Sequence, residues 1–392
     1  MKVLEDQPQR LFREEVRTWL EANVPREKRP PDGSGMRDFD MEWQSRQYEG
    51  GWAGISWPVQ YGGRGLSLVD QLIWHEEYSR AGAPSSGNMF IALSHAGPTL
   101  IQEGSDEQKA FHLPQILRGE VTWCQGFSEP GAGSDLGGLR TRGEIDGDVL
   151  VVNGSKIWTT YAPQANYQEL LVRTDPALGK HRGISWVIAD MKLPGIDVRP
   201  IRAMSGITHF AQVFYNDVRI PLANIVGGLN EGWRVAMTTL GFERGTGNIS
   251  HQVELSRTVE RLVDVARTIP AADGRRRAID DDAVAARLAT LRAEVAALRS
   301  MTALTISRNM RDAVPGPEGN LVALQFGELI RDVLGFAIEL LGPHGLERPG
   351  AFGDWALEYL ECYKWAIGGG TTEIRRNAIG ERLLGLPKGP RP

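Results

Sequence analysis

At 392 residues, with 41% hydrophobic and 24% charged residues, the chain has the composition of a soluble globular protein with room for two or three domains. A net charge of −5 leaves no basic excess to neutralise phosphates, which gives nucleic-acid binding little support. Two cysteines, Cys124 and Cys362, exclude a disulfide framework, and the absence of a signal-like N-terminus or a long apolar run makes the cytoplasm the expected compartment.

In chain order, residues 1–120 read as helical. Leu11, Phe12, Val16, Trp19 and Leu20 recur at helical spacing, and "SLVDQLIWHEEYSRAG" and "GPTLIQEGSDEQKAFHLPQIL" repeat the pattern between Gly and Pro breaks. Residues 121–228 read as β-structure. Asn153-Gly154 inside "DVLVVNGSKIWTT" predicts a hairpin turn, and "YQELLVRTD", "GISWVIADM" and "FAQVFYNDVRI" are further strand candidates. Residues 229–392 return to helix. Val284, Leu288, Leu291, Val295 and Leu298 form a seam, and "LVALQFGELIRDVLGFAIELLG" is a second apolar face that could pair with it. The expected fold is therefore α+β and multidomain: a helical N-terminal domain, a middle antiparallel β-domain and a C-terminal four-helix bundle.

Two glycine-rich loops invite a ligand. "FSEPGAGSDLGG" exposes backbone N–H groups and the hydroxyls of Ser128 and Ser134. It is not a dinucleotide fingerprint, because Leu136 stands where the third glycine belongs and the chain runs on into β-structure. It is not a phosphate-binding P-loop, and Pro130 breaks the serine-hydrolase elbow. His75-Glu76 lacks a second histidine at zinc-protease spacing, so no catalytic metal is expected. The second loop, Gly368-Gly369-Gly370, leads into Thr371-Thr372-Glu373 and a possible helix start suited to phosphate. On residues alone, a tight surface turn and a flexible cap explain the two loops equally well.

The segments "FSEPGAGSD", "NGSKIWTT", "VFYNDVRIPLANIVGGLNEGW" and "GGGTTEIRRNAIGERLLGLP" occur in that order, together with "GSDEQKAFHLPQILRGE" in the first region. On these motifs the chain resembles the acyl-CoA dehydrogenases along nearly its whole length. The resemblance implies flavin adenine dinucleotide (FAD) between the β-domain and the C-terminal helices. It places Gln125, Gly126, Phe127 and Ser128 along the isoalloxazine, and Trp158 and Thr160 packed on and hydrogen-bonded to it. It puts Ser134 at the flavin or the acyl-CoA arm. Gly369, Gly370, Thr371 and Glu373 fall at the dinucleotide. Without it, Trp158 reads equally as a core aromatic.

The implied reaction removes a proton α to the thioester carbonyl and a hydride from the β-carbon, giving a trans-2-enoyl-CoA. Proton removal needs a carboxylate in a dry pocket, raised above its ordinary value of about 4.3. Many family members carry that carboxylate two residues before the loop threonine, where this chain has Gly369. A subset carries it on an earlier helix just before an arginine. That pattern matches "GWRVAMTTLGFERG" and points to Glu243 as base, with Phe242 and Arg244 beside the substrate. Read without the resemblance, Glu243 is an exposed glutamate at a glycine-rich helix end.

Two further departures stand out. The family's Gly-Gly-x-Gly is here Gly342-Pro343-His344-Gly345, and its inter-subunit Arg and Phe-Gly segment is not evident near "TIPAADGRRRAIDDD". Such divergence resembles bacterial members acting on bulky, sterol-derived acyl groups. The implied partners are an acyl-CoA substrate, an electron-transferring flavoprotein, and copies of the chain in a homodimer or homotetramer, or a paralogous subunit in a heterotetramer. Alternatives on the same fold are an oxidase, a flavin monooxygenase, a desulfinase or a non-catalytic partner subunit.

Overall fold

The computed structural model describes residues 6–242, 248–271, 274–312, 316–348 and 350–389. In chain order the helices and strands are α1 (Gln7–Asn23), α2 (Gly33–Glu49), α3 (Leu68–Arg80), α4 (Gly97–Glu103) and α5 (Asp106–Leu117). Then follow β1 (Trp123–Gly126), β2 (Arg142–Asp146), β3 (Val149–Thr160), β4 (Tyr167–Arg173), β5 (Ile184–Asp190), β6 (Ile196–Ile201), β7 (Phe210–Pro221) and β8 (Ile225–Val226). The chain continues with α6 (Gly232–Phe242), α7 (Asn248–Thr268), α8 (Asp282–Asp312), α9 (Gly319–Leu341), α10 (Trp355–Cys362) and α11 (Thr372–Ala378). These residues form two compact units. One draws on Met1–Leu20, Leu68–Ala81 and Arg244–Pro392; the other on Glu21–Ser67 and Gly82–Glu243.

The second unit carries the sheet. Its strand order is β6-β7-β3-β2-β4-β5-β8, with β1 alongside β4. Pairing is antiparallel except for β1 with β4 and a single β2–β4 contact at Arg142–Arg173. Strand alternation sends side chains to two cores. Trp123, Phe127, Leu171, Trp186 and Ile188 meet Leu100, Leu113, Ile116 and Val235 from the helices on one side. Cys124, Leu150, Val152, Leu170, Val187 and Val213 make the other core.

Helix starts in this unit are chemically marked. The Asp32 carboxylate accepts from Gly33 N ahead of α2, and α5 opens on a Ser105/Gln108 capping box. Before α4, Ala92–Ala96 form a π-helical turn, with Pro98 in the helix's first positions.

The predicted hairpin at Asn153-Gly154 is not there. The turn is Gly147-Asp148, with Gly147 at φ +62°, and β3 runs unbroken through both residues. Its register with β7 shifts between Val152 and Gly154. Asn153 uses its side chain across the sheet, donating to Asp217 Oδ1 at 2.9 Å and accepting from Asp217 N at 3.0 Å. Gly154 serves as a bulge glycine: at φ +146° a Cβ there would lie 2.7 Å from the Thr141 Cα. The Asn-Gly signal was genuine backbone chemistry, spent on a bulge.

In the first unit α7, α8 and α9 pack on one another, α3 lies on α7 and α8, and α10 lies on α9. The seam read from the sequence is the core, with Leu288, Leu291, Val295 and Leu298 buried against Leu262, Val259, Val333 and Leu334. Of the five positions at helical spacing in the first helix, Val16 and Leu20 are buried and Leu11 is exposed. Glu77 on α3 is held by Arg13, Arg17 and Arg80 at 2.8, 3.0 and 2.7 Å. Among the described residues, no helix is long and apolar enough to cross a membrane.

Candidate functional site

Local chemistry of β1 and β3 builds one wall in the second unit. β1 ends at Gly126, where a Cβ would sit 2.6 Å from the end of the Gln168 side chain, so a larger residue here would push that amide aside. The chain then passes Phe127, which is buried, and Ser128, whose carbonyl accepts from Ile157 N at 2.9 Å. That bond places Ser128 against β3 one residue before Trp158.

Trp158 is the unusual residue of the wall. It has φ +61°, a conformation that costs a bulky residue roughly 1–2 kcal/mol. It sits in the second bulge of the β3–β7 pairing, between Lys156 and Thr159, and its side chain is turned out of the sheet with 58% exposure. Its only ring neighbour among the described residues is the Phe210 edge at 6.1 Å. A large apolar ring held outward by a strained backbone fits a stacking platform better than a core aromatic. The next residue, Thr159, is buried, and its hydroxyl has no partner among the described residues. Thr160 pairs with Phe210 and is half-buried.

The Gln125 side chain is hydrogen-bonded within the second unit. Its amide donates to Glu169 Oε1 at 2.7 Å and lies 3.2 Å from His95 Nδ1, within a buried polar cluster. Ser134 is exposed on the loop between Gly131 and Gly138, and Gly131 and Gly133 have open space where a side chain would stand. The wall thus offers a flat approach at Gly126, an outward indole, a spare buried hydroxyl and open glycine backbone. That set fits a planar heteroaromatic ring with a polar edge.

Sequence reasoning assigned no role to Glu129 and Lys156. Lys156 is fully buried and donates to Glu129 Oε1 at 2.8 Å and to the Phe127 carbonyl at 3.1 Å. Glu129 also accepts from Arg140 N at 2.7 Å and Thr141 N at 2.8 Å. Burial opposes the Glu129 charge, but the Lys156 ammonium and these donors hold the carboxyl below the usual range. Desolvation brings Lys156 down to about 8 against the pull of Glu129. A lysine in a strand reads as solvent-facing; the signal for burial was Glu129, an acid beside Pro130 and glycines in a loop whose backbone amides close on it.

α6 packs through Val235, Ala236 and Thr239. The Thr239 hydroxyl donates to Val235 O at 3.1 Å, so at the 2.9 Å contact between the two hydroxyls it accepts from Thr99 on α4. Glu103, also on α4, accepts from Thr238 at 3.0 Å and pairs with Arg234. Phe242, half-buried, ends the helix. Glu243 and Arg244 follow directly and lie outside the described residues.

The C-terminal loop belongs to the first unit. Gly369 and Gly370 have φ +68° and +110°, Thr371 caps α11 by accepting from Ile374 N at 3.3 Å, and Glu373 is exposed. Buried Arg375 donates to the carbonyls of Trp365 at 3.0 Å and Gly368 at 2.7 Å, which fixes the loop from beneath. The seven residues of α11 run on without a break into a π-helical turn at Ile379–Leu383.

In chain order, helices, a mixed sheet and helices follow one another, and β1 and β3 carry a wall suited to a planar ring: the class is a helical–sheet–helical protein with a site for a ring-bearing ligand. The family models agree: acyl-CoA dehydrogenase N-terminal, middle and C-terminal domains match residues 6–120, 124–218 and 230–384. The chain belongs to the acyl-CoA dehydrogenase family, a family of enzymes whose membership implies a flavin cofactor. Acyl-CoA dehydrogenase IpdE1 of Mycobacterium tuberculosis is 37% identical over 386 residues, covering 96% of this chain and 97% of that protein. The structure titled Tcur3481-Tcur3483 steroid ACAD superposes with a TM-score of 0.86 at 30% identity, covering 99% of this chain and 100% of that one. The ChsE4-ChsE5 complex of Mycobacterium tuberculosis contains a chain with a TM-score of 0.85 at 32% identity, with coverage of 99% and 100%.

Proposed function

We propose that the protein is an FAD-dependent dehydrogenase that converts a bulky, ring-bearing acyl-CoA to its trans-2-enoyl-CoA, with Glu243 as base. The observation that carries this reading is Trp158, an exposed indole held in a left-handed backbone on the wall. It supplies the face on which a flavin ring stacks, with Gly126, Phe127, Ser128 and Thr160 along its edge and Ser134 toward the acyl-CoA arm. A flavin held against this wall would supply the acceptor for the hydride that leaves the β-carbon. The contribution of this chain is to orient the thioester and remove the α-proton. α6 supports that role, because its buried contacts at Val235, Ala236 and Thr239 hold the helix as far as Phe242, the residue before Glu243. Phe242 and Arg244 border the substrate, and Gly369, Gly370, Thr371 and Glu373 take the dinucleotide. Gly369 leaves the C-terminal loop without a carboxylate, which favours the base on the helix side. The functional division of the chain follows at 1–120, 121–228 and 229–392.

The steroid named for one related structure supports a ring-bearing substrate. The heteromeric complexes among the relatives support assembly with a paralogous subunit over a homodimer or homotetramer. An electron-transferring flavoprotein is the expected electron acceptor. Glu243→Gln keeps shape and removes basicity. Assayed on thioesters from straight-chain to ring-bearing with a dye acceptor, it should lose activity by orders of magnitude while the flavin absorption band persists. Near-normal activity places the base elsewhere. Peroxide release without a dye makes the enzyme an oxidase, and wild-type protein without a flavin band makes it a non-catalytic subunit.

A further inference from the structure

We infer that the buried Glu129–Lys156 pair is the positioning device of the flavin wall, tying the glycine loop and the end of β1 to the strand that holds Trp158. This inference rests on the flavin reading above. The two side chains join three stretches of backbone. Lys156 stands on β3 two residues before Trp158, and its ammonium takes the Phe127 carbonyl at the end of β1. The same ammonium takes Glu129 Oε1, and Glu129 gathers the Arg140 and Thr141 amides where the loop returns to the sheet. Reciprocal bonds between Glu129 and Ala132, both 3.0 Å, close the tip that carries the open glycines. Thr141 then donates its hydroxyl to Ser155 O at 3.3 Å, beside the Gly154 bulge.

Electrostatics favour a positioning role over simple cohesion. Removing both charges from water is costly, and a well-packed neutral pair usually holds a fold as firmly. What a neutral pair cannot do is serve several backbone donors and a carbonyl from one point with charge-assisted bonds. The geometry spends the charge on orienting the loop backbone and the Phe127 carbonyl, and those are the atoms a flavin ring would lie against. Neither side chain needs to touch the ring.

The test replaces the charges and keeps the volume, with the double variant Glu129→Gln/Lys156→Met. Apo protein is titrated with FAD and followed by flavin absorption and fluorescence, alongside thermal unfolding of the apo form. Expected is a midpoint near wild type with FAD binding weakened at least tenfold. Glu129→Gln alone, which keeps an acceptor for Thr141 N and an amine partner at Lys156, should weaken binding severalfold; it carries the test if the double variant does not fold. Wild-type FAD affinity in whichever variant folds overturns the inference and leaves the flavin reading intact. Failure of the wild-type protein to bind FAD overturns the flavin reading itself.

Discussion

At the scale of single residues, function and stability pull against each other at Trp158. The left-handed backbone costs tryptophan roughly 1–2 kcal/mol, and glycine escapes that cost while losing about 0.5–1 kcal/mol to greater freedom in the unfolded chain. Because the indole is more than half exposed, its removal sacrifices little burial. Trp158→Gly should therefore leave the apo midpoint within about 3 °C of wild type, read by thermal unfolding. Flavin affinity should fall about tenfold, the scale of a lost aromatic stack of about 1–1.5 kcal/mol, read by fluorescence titration. A large drop in apo stability would make Trp158 a structural aromatic. The motif around this residue was legible in the sequence, since Trp-x-Thr after a strand carries the family resemblance. Its strain was not, because a positive φ at tryptophan has no compositional mark; it comes from the bulge that β7 imposes on β3.

At the scale of elements, the helix that leads to Glu243 is held by a polar contact in an apolar place. Thr99 and Thr239 are both fully buried, and the hydroxyl chain runs from Thr99 through Thr239 to Val235 O. Thr239→Val strands the Thr99 hydroxyl and should cost about 1–3 kcal/mol, whereas Thr99→Val leaves Thr239 its bond to Val235 and should cost less. With both replaced no donor is stranded, so the double variant should cost less than the sum, with a coupling on the order of 1 kcal/mol in a denaturant cycle. Strict additivity would show that the two hydroxyls do not act together. Long periodic elements were the legible ones: α3, α8, α9, β4, β5 and β7 all lie where apolar spacing put them. The misplaced hairpin had a physical reason, because Asn-Gly favours positive φ wherever it occurs and the Gly147-Asp148 turn competes six residues earlier. β6 was missed because its residues are only partly buried and "IDVRPI" carries Pro200. The site divides in the same way. Its glycines, serines and Trp158 were readable as motif, but Lys156 was not, because its partner Glu129 lies 27 residues away in sequence.

Over the whole molecule, acid stability is set by histidines that fold in the neutral state. Desolvation pushes the imidazoles of His75, His112 and His251 down to about 4, helped at His75 by repulsion from His251 and at His251 by Lys364. Each ring binds its proton in the unfolded chain near pH 6.5 but in the folded chain only near 4. Stability is therefore highest above pH 6.5 and is lost as pH falls toward 4. A second loss follows from Glu77. Burial opposes its ionisation, but Arg17, Arg13 and Arg80 hold it at about 2, so its contribution is present above about 4.5 and disappears as pH falls through 2. His112 is the cleanest place to test the first window. It is buried edge-on to Trp123 and Tyr167, at 5.1 and 4.9 Å, and its Nδ1 has no partner among the described residues. His112→Phe keeps an aromatic ring there and deletes one titration. Urea unfolding at pH steps from 7.5 to 4.5 should show the variant losing stability less steeply below pH 6.5, by up to about 1.4 kcal/mol per pH unit for the missing proton. At pH 5 the variant should be the more stable protein. Parallel curves for variant and wild type would mean that His112 is protonated in the fold, and the acid sensitivity would then have to come from the other two rings.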